Sequence, residues 1–358
     1  GGLLGDIVPD TYLNLKFTEH IRNFLLQNTE LKEIILLPSN IFVGAKVDTT
    51  LIFAKRSTRT DNVHKSQVSV KVFSKKDNIK VIESPKRHFY ISTQLWHEQN
   101  SFNVRSDTSE IKLLSKIDNN NPHLSKIVDI FYGIKTYQVG KGKPPQTREV
   151  VNAKPYTSEA KKDNTYLPFY DGKHIGRYKL LWDKNNWLKY GEWLAEPRKP
   201  KKFEGEKILI RKIVGRTLIA NYIQATSYCN TLFVVKIKPD NNIDYKYLLG
   251  ILNSNFIGWY YRKKFQINPD DIFPQIMIRD ILQFPIHIAN KSKQKMMIEL
   301  VEKMIELNKK IEEIKTPTAK NKIERKIKAT DNKIDQLVYE LYGLTEKEIK
   351  IVEESTSQ

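Results

Sequence analysis

Residues 21–56 read IRNFLLQNTELKEIILLPSNIFVGAKVDTTLIFAKR, and this stretch decides the fold. A helix is predicted first, and its apolar positions are Phe17, Ile21, Phe24 and Leu25. Apolar runs at 33–37 and 47–55 predict two strands. The nine residues between them are too few for a crossover helix, which takes about a dozen, so the two strands are predicted to be antiparallel.

Positive charge is concentrated in the middle of the chain. The 358 residues have a formal net charge of +19. Residues 1–57 carry six basic and six acidic residues, whereas residues 135–216 carry twenty basic, nine acidic and eleven aromatic residues. The tail from residue 289 is nearly neutral, with fifteen basic and thirteen acidic residues. Such a local excess indicates a surface for a polyanion, because uniform basicity would indicate only solubility.

The densest basic part, residues 190–222, reads YGEWLAEPRKPKKFEGEKILIRKIVGRTLIANY. Cationic side chains neutralise phosphates and flat rings supply stacking surface, so this combination favours a nucleic acid. A solvated basic face is the alternative that the run alone leaves open. Trp182, Trp187 and Trp193 are similarly ambiguous, because tryptophans stack on bases but also fill cores.

The prolines at 197 and 200 are expected to hold the chain between them extended, since proline fixes φ and removes a backbone donor. An extended basic segment can follow a phosphate backbone. The candidate phosphate contacts are Arg198, Lys199, Lys201 and Lys202.

Residues 207–216 predict a strand that is interrupted by Arg211 and Lys212, with residues 217–222 as its partner after a turn at Gly215. Arg211 and Arg216 are the candidates for base recognition, because a planar guanidinium fits the edge of guanine better than an ammonium does. Lys212 is a further candidate DNA contact. Surface ion pairs are the alternative for both arginines.

The tripeptide Asp171-Gly172-Lys173 predicts a tight turn, in which glycine tolerates a positive φ. Lys173, His174 and Arg177 follow at the start of the next element and are candidate nucleic-acid contacts, with a solvated turn as the alternative. The acid-any-lysine spacing also occurs at nuclease metal sites. No partnering acidic strand accompanies it, so no metal site is predicted.

The last seventy residues predict helices. Residues 297–314 and 323–341 repeat apolar positions at three- and four-residue spacing, which favours an antiparallel helical hairpin. Gly343 is expected to end the second helix, and Thr345 with Glu348 predicts a capping box for a third.

The remaining composition excludes several classes of protein. A single cysteine, Cys229, excludes an internal disulfide and is expected to be a small core residue. No apolar run approaches the roughly 20 residues that span a membrane, so a cytoplasmic location is expected. The chain starts without methionine and at once enters a short apolar strand, as though cut from a longer protein.

An ordered set of motifs resembles one class of enzyme. GGLLGDIVPDTYL (1–13) and the helix and strand pair at 21–56 are similar to the end of the methyltransferase domain in TaqI-like and type IIG restriction-modification adenine-specific DNA methyltransferases. LSKIVDIFYGIKT (124–136), YLPFYDGKHIGRY (166–178) and YLLGILNSNFIGWYY (247–261) resemble the specificity domain of that class. IDQLVYELYGLT (334–345) resembles the terminal helices of type I and type IIG specificity modules.

The resemblance implies a fold class of three parts. They are an α/β remnant of a doubly wound methyltransferase sheet (1–105), an α+β target-recognition domain (106–288) and a C-terminal helical hairpin (289–358). It also implies double-stranded DNA as the partner and S-adenosylmethionine as the cofactor of the parent protein. Mg²⁺ is implied only if an endonuclease domain is fused, and the C-terminal helices could bind a partner subunit.

The chemistry of methyl transfer is expected to lie outside this chain. No glycine-rich cofactor loop follows a strand, and no Asn/Asp-Pro-Pro-aromatic motif is present. The nearest strings, at 121–123, 143–146 and 268–270, each fail at a required position. No catalytic, cofactor-binding or metal residue is therefore assigned. A separate DNA specificity subunit and a basic RNA-binding protein remain as alternatives.

Overall fold

The computed structural model describes residues 2–39, 41–42, 47–57, 66–74, 77, 84–99, 101–268, 270 and 274–357. The chain divides into two compact units. Unit 1 comprises Gly1–Asn120 and Tyr260–Ile272, and unit 2 comprises Asn121–Trp259 and Phe273–Gln358. Both units contain sheet and helix, so the protein is of mixed α/β type.

Unit 1 is built on one five-stranded sheet. Its elements in chain order are β1 (Leu3–Pro9), α1 (Glu19–Asn28), β2 (Thr29–Leu36), β3 (Thr49–Arg56), β4 (Gln67–Val72), β5 (Arg87–Ser92), α2 (Thr93–Gln99) and α3 (Thr108–Asn120). The strand order is β1-β3-β2-β4-β5, with β2 parallel to β4 and the other neighbours antiparallel. The predicted antiparallel pairing of β2 with β3 is confirmed. The alternating residues at 67–73 and 78–82 also predict strands: the first is β4, and the second lies outside the described residues.

The core of unit 1 combines strand and helix side chains. Those from the strands are Leu31, Ile34, Ile52, Val68, Val70 and Ile91. Trp96 from α2 stacks on Phe102 with 4.8 Å between ring centroids, and its Nε1 donates to the carbonyl of Asn103 at 3.2 Å. Burial of the large Trp96 ring is therefore achieved without leaving its N–H unsatisfied.

Helix α1 buries a different face from the predicted one. Of the predicted positions Leu25 is buried, together with Leu26, whereas Phe17, Ile21 and Phe24 are exposed, so the prediction was wrong for these three. Arg22 is buried instead, and its Nη1 donates to two carbonyls and the Thr18 hydroxyl at 2.8–2.9 Å. These hydrogen bonds offset the cost of burying the cation.

Unit 2 contains ten short strands and the remaining helices among its described residues. The strands and the first helix are β6 (Val128–Tyr132), α4 (Arg148–Ala153), β7 (Thr157–Ser158), β8 (Tyr166–Tyr170), β9 (Ile175–Gly176), β10 (Lys179–Leu180), β11 (Trp187–Lys189), β12 (Lys207–Arg211), β13 (Ala220–Ile223), β14 (Tyr228–Cys229) and β15 (Leu232–Ile237). The helices that follow are α5 (Tyr245–Asn253), α6 (Asn255–Lys264, whose last five residues belong to unit 1), α7 (Ile278–Ile281), α8 (Lys291–Glu313), α9 (Pro317–Leu341) and α10 (Glu346–Ser357).

Two four-stranded sheets and one hairpin organise these strands. The first sheet has the order β13-β12-β15-β6 and is antiparallel throughout. The second has the order β14-β8-β11-β7, and β9 pairs with β10. The predicted pairing of the 207–216 strand with the next one is confirmed, with Leu209 opposite Asn221. Cys229 is buried in the core, as expected.

Helices α8 and α9 lie side by side and run in opposite directions, since Lys293 near the start of α8 pairs with Glu340 near the end of α9. The buried apolar residues on the two helices are Met297, Val301, Met304, Leu307, Ile334, Leu337, Val338 and Leu341. The predicted capping box of α10 is confirmed, because Thr345 N donates to Glu348 Oε2 at 2.8 Å and Glu348 N to Thr345 Oγ1 at 3.4 Å. Within the described ranges, no helix is both long and apolar enough to cross a membrane.

Candidate nucleic-acid interface

The predicted turn at 171–173 is a single 3-10 turn, Gly172–His174, that follows β8. His174 is buried, and its Nδ1 accepts a hydrogen bond of 2.9 Å from the backbone N–H of Asp171. Burial lowers the pKa of His174, so the ring is neutral near pH 7. Lys173, in contrast, is exposed. The turn therefore exposes one cation, Lys173, whereas the buried His174 ring stabilises the turn by accepting the hydrogen bond from Asp171.

Arg177 follows the turn and is held inside unit 2. Its guanidinium makes a two-pronged ion pair with Asp331 of α9, with N–O distances of 3.0 and 2.8 Å. Nη2 also donates to the carbonyl of Asn253 at 2.8 Å. This geometry uses the donors of Arg177 to connect the β9–β10 hairpin to α5 and α9.

The basic segment at 197–203 is not extended, so that prediction was wrong. Pro200–Phe203 form a 3-10 turn, and Arg198 has a φ of +60°. Phe203 is buried and anchors the turn in the core, while Tyr190 Oη donates to the carbonyl of Arg198 at 2.7 Å. Packing of one aromatic ring thus overrides the extended tendency of a proline-flanked segment. Lys199 and Lys201 remain exposed, and Arg198 pairs with Glu196.

Two of the predicted contacts, Lys173 and Arg211, lie close together where β12 ends. Arg211 Nε lies 4.0 Å from the position that a Cβ would take at Gly172, next to Lys173. The turn is fixed to the start of β15 because Gly172 N donates to Thr231 Oγ1 at 3.1 Å. Lys212 follows Arg211 and lies with its Nζ 5.3 Å from the ring centroid of Tyr132. Lys173 and Arg211 thus lie close together, and Lys212 follows with its ammonium on the other face of the sheet. We call this end of the strand, with these three residues, the β12 edge.

The two faces of this sheet carry different cations. Lys202 Nζ lies 4.0 Å from the ring centroid of Phe131, whereas Lys212 lies over Tyr132 and over Phe233 at 5.6 Å. Phe131 and Tyr132 are adjacent in β6, so their side chains point to opposite faces. Lys202 and Lys212 therefore lie on opposite faces of the sheet. These cation–π contacts position the ammonium groups on aromatic faces.

Arg216 is exposed on the loop after β12. The loop is fixed by the bond from Val214 N to the carbonyl of Pro274 at 3.1 Å. It also passes close to α6, where a Cβ at Gly258 would lie 2.5 Å from the Arg216 carbonyl oxygen. Glycine at 258 is required for this approach, and the loop that carries Arg216 is thus held by backbone contacts.

The three tryptophans that could have stacked on bases, Trp182, Trp187 and Trp193, belong to aromatic clusters. Trp182 lies edge-on to Tyr170 at 5.3 Å and to Trp187 at 5.0 Å between ring centroids. Trp193 lies 5.8 Å from Tyr156, and it packs against the core of unit 2 with Trp182. Packing therefore accounts for these rings, although Trp187 also has Lys161 Nζ at 5.9 Å from its ring.

Two asparagines that the sequence reasoning left without a role organise this region. Asn253 pairs with the backbone of Ala220 in β13 through both amide atoms at 3.0 Å. Asn255 donates to Asp335 of α9 from its backbone N at 2.8 Å and from Nδ2 at 2.7 Å. The Asn-Ser-Asn step between two apolar helical segments was the available signal, since polar residues there need buried partners.

The described residues contain no group of three His, Cys, Asp or Glu that could hold a metal ion. A site for S-adenosylmethionine in unit 1 would require a glycine-rich loop between a strand and a helix. Residues 10–18, between β1 and α1, contain no glycine, and β5 passes directly into α2. These connections lack a glycine-rich loop and therefore do not fit the cofactor.

Two family models match the chain in consecutive segments. Residues 7–127 match the N-6 DNA methylase family, and residues 167–286 match the TaqI-like C-terminal specificity domain. The two matches follow each other in the order that the resemblance implied. The resemblance to TaqI-like type IIG restriction-modification methyltransferases is confirmed.

A protein of Methanocaldococcus jannaschii named as a type II restriction enzyme and methyltransferase, RM.MjaORFECS2P, is 28% identical over 349 residues. The match covers 95% of this chain but only 27% of that protein, so the chain spans about a quarter of this curated relative.

Among solved structures, the type IIL restriction-modification enzyme MmeI, in complex with DNA, has a TM-score of 0.54 at 10% identity. That alignment covers 99% of this chain and 50% of MmeI, and it shows a shared fold. The type IIG restriction endonuclease BpuSI aligns at a TM-score of 0.36 and 14% identity over 95% of this chain and 47% of its own.

Proposed function

We propose that this chain is the DNA-recognition portion of an adenine N6 DNA methyltransferase, or of a restriction-modification enzyme in which an endonuclease is fused to one. The observation that carries the proposal is the β12 edge, where Lys173 and Arg211 lie close together and Lys212 follows in the chain. This edge lies inside the segment that matches a specificity domain. A compact group of cations on a rigid strand end suits a duplex groove better than scattered surface lysines do.

The cations divide by chemistry and exposure. Lys173, Lys199 and Lys201 are exposed and would hold phosphates, with Arg198 and Lys202 beside them. Arg211 and Arg216 would read base edges through their planar guanidinium groups, with Lys212 next to Arg211. His174 and Arg177 would position the turn and the β9–β10 hairpin, because their polar atoms already face inward.

Unit 1 would be the closing part of a larger methyltransferase sheet, with the domain limits at 1–105, 106–288 and 289–358. Two features support this. Strand β1 is an edge strand whose Leu3 is 83% exposed, and both Phe17, in the 3-10 turn before α1, and Phe24 of α1 are exposed. An apolar edge and an apolar helix face in one unit suit burial against further protein. In the whole protein, S-adenosylmethionine would supply the methyl group.

A salt-titrated binding assay tests the proposal. The chain is mixed with random duplex DNA, random single strands and RNA, and bound duplexes are then selected and sequenced. Preferential duplex binding with an enriched motif supports DNA recognition. Equal binding to all three nucleic acids that salt abolishes, without an enriched motif, would favour the basic RNA-binding alternative and contradict the proposal.

Two substitutions separate base contacts from phosphate contacts. Arg211→Ala is expected to relax one position of the selected motif and to cost about 1–3 kcal/mol on the preferred site. Lys173→Ala is expected to weaken binding to all duplexes alike and to lower the salt slope by about 1. Arg56→Ala, an exposed arginine of unit 1, is the control and should change neither quantity.

A further inference from the structure

A second basic surface lies on α9 and its neighbour α8. The residues that line one groove on α9 are Thr318, Asn321, Lys322, Arg325, Lys326 and Ala329. Their three- and one-residue spacing places them on a single helix face. This groove has a volume of about 620 Å³. We call it the α9 groove.

An adjoining groove continues this surface between the two helices. It shares Lys326 and Ala329 with the α9 groove and has a volume of about 280 Å³. Lys303, Lys310 and Lys333 contribute cations to it, and Glu306 contributes an acidic group. The joined surface therefore carries six cations against one carboxylate, although the C-terminal tail as a whole is almost neutral.

The charges on this surface are largely uncompensated. Within the part of the chain that the structure describes, Lys322, Arg325, Lys326 and Lys333 form no ion pair, whereas Lys310 pairs with Glu306. Cations elsewhere on the helices do pair, as Lys293 does with Glu340 and Lys246 with Glu302. Like charges three and four residues apart on one helix repel each other. A bound polyanion would remove this repulsion.

Ion pairs connect the helices that carry this surface to the β9–β10 hairpin of unit 2. Asp331, within α9, holds Arg177 of the β9–β10 hairpin, and Lys179 of the same hairpin pairs with Glu312 at 3.2 Å. Arg177 and Lys179 lie a few residues after Lys173 in the chain. The position of the α9 groove relative to the hairpin is therefore fixed by one ion pair from α9 and one from α8.

The chemistry of the surface fits phosphates better than a protein. None of the exposed large apolar residues of the described chain lies on α9, whereas protein interfaces rely on aromatic and aliphatic anchors and are depleted in lysine. Residues 322–333 rise about 16 Å along the helix axis. This equals about five base-pair steps of 3.4 Å, so the row can meet several successive phosphates of one strand.

We propose that the α9 groove and its continuation bind the phosphate backbone of the same duplex outside the recognised sequence, as a second, sequence-independent contact. The proposal rests on duplex DNA binding by this chain. It adds flanking base pairs to the footprint and predicts that affinity depends on duplex length beyond the recognition site.

The test uses the full chain with Lys322→Gln, Arg325→Gln and Lys326→Gln combined. The matched control combines Lys315→Gln, Lys320→Gln and Lys328→Gln, which removes three exposed cations of the same segment that line neither groove. Affinity is measured against salt for a duplex limited to the selected motif and for one extended by a helical turn on each side. Hydroxyl-radical footprints are recorded on the longer duplex.

The groove variant is expected to lose about tenfold or more in affinity for the long duplex at low salt, and its salt slope should fall by about 2–3, since each phosphate contact contributes about 0.9. The short duplex and the control variant should show little change, and the footprint should shorten on one side. Equal losses in both variants, or none in either, would overturn the proposal. If the unmodified chain binds no duplex at all, the proposed function itself fails, and this contact fails with it.

Discussion

Single ionisable residues in unit 2 connect α9 to neighbouring elements. Asp335 of α9 is buried and accepts two hydrogen bonds from Asn255. Burial raises the pKa of Asp335 to about 7, and the neighbouring Asp331 and Glu353 carboxylates act in the same direction, whereas Asn255 and Arg177 oppose it. The folded protein therefore holds this proton more tightly than the unfolded chain, where the pKa of aspartate is about 3.9.

The sign of this shift gives a prediction for stability against pH. The contribution of Asp335 is fully present below about pH 4 and is lost as the pH rises through about 7. Asp335→Asn is expected to flatten this part of the curve by about 2–4 kcal/mol. Urea unfolding at pH 5 and pH 8 measures the effect, with Asp129→Asn on the surface as the control. An identical pH dependence in wild type and Asp335→Asn would contradict the raised pKa.

Arg177 gives a second prediction at this scale, because its two possible functions have different signatures. Arg177→Ala leaves Asp331 and the Asn253 carbonyl without their partner and should lower the free energy of unfolding by about 2–3 kcal/mol. Lys179→Ala breaks the ion pair with Glu312, which is more exposed than that of Arg177, and should cost less than about 1 kcal/mol. The salt slope of DNA binding should stay constant in Arg177→Ala. A stable variant with a slope lower by about 1 would instead identify Arg177 as a phosphate contact.

At the scale of elements, regular spacing gave correct predictions and local composition gave wrong ones. The long apolar repeats at 297–314 and 323–341 correspond to the helices α8 and α9. Within α8 the periodic position was assigned to Leu300, but Val301 is the buried residue and Leu300 is half-buried. Phe17, Ile21 and Phe24 were assigned to the buried face with Leu25, yet the face that α1 buries carries Arg22, Leu25 and Leu26. A ten-residue helix has too few turns for periodicity to identify its buried face once a buried cation is satisfied by hydrogen bonds.

Two exposed phenylalanines, Phe17 just before α1 and Phe24 within it, yield a prediction for this chain. Phe17→Gln combined with Phe24→Gln should raise solubility without lowering the unfolding midpoint, because the two rings are 71% and 61% exposed. Leu26→Gln, at a buried position of the same helix, should destabilise by about 3 kcal/mol or more. Static light scattering and thermal unfolding check both expectations. Equal destabilisation by the two changes would show that the phenylalanines are part of the core.

At the scale of the whole molecule, recognition and methyl transfer are expected to be separable. The chain should bind duplex DNA and transfer no methyl group, because its described strand-to-helix connections do not fit S-adenosylmethionine. Incubation with labelled S-adenosylmethionine and a duplex that the same preparation binds provides the measurement. Incorporation of label into adenine by the chain alone would refute this division.

The sequence alone determined the broad organisation of the protein. Charge density, helical periodicity and ordered motifs predicted a basic recognition segment, the terminal helices and the antiparallel pairing of β2 with β3. These features depend on neighbours close in the chain, so they can be inferred from spacing and composition. The matches at 7–127 and 167–286 agree with the resemblance that these motifs gave.

Only the tertiary structure decided which of the predicted site residues meet. Lys173 and Arg211 are far apart in the sequence, and Gly172 brings them together through its bond to Thr231. His174 and Arg177 turn inward because partners from distant elements, above all Asp331, satisfy them. Phe203 decides the shape of the proline-flanked loop by packing in the core. Burial and pairing depend on contacts between residues remote in the chain, which local composition does not specify.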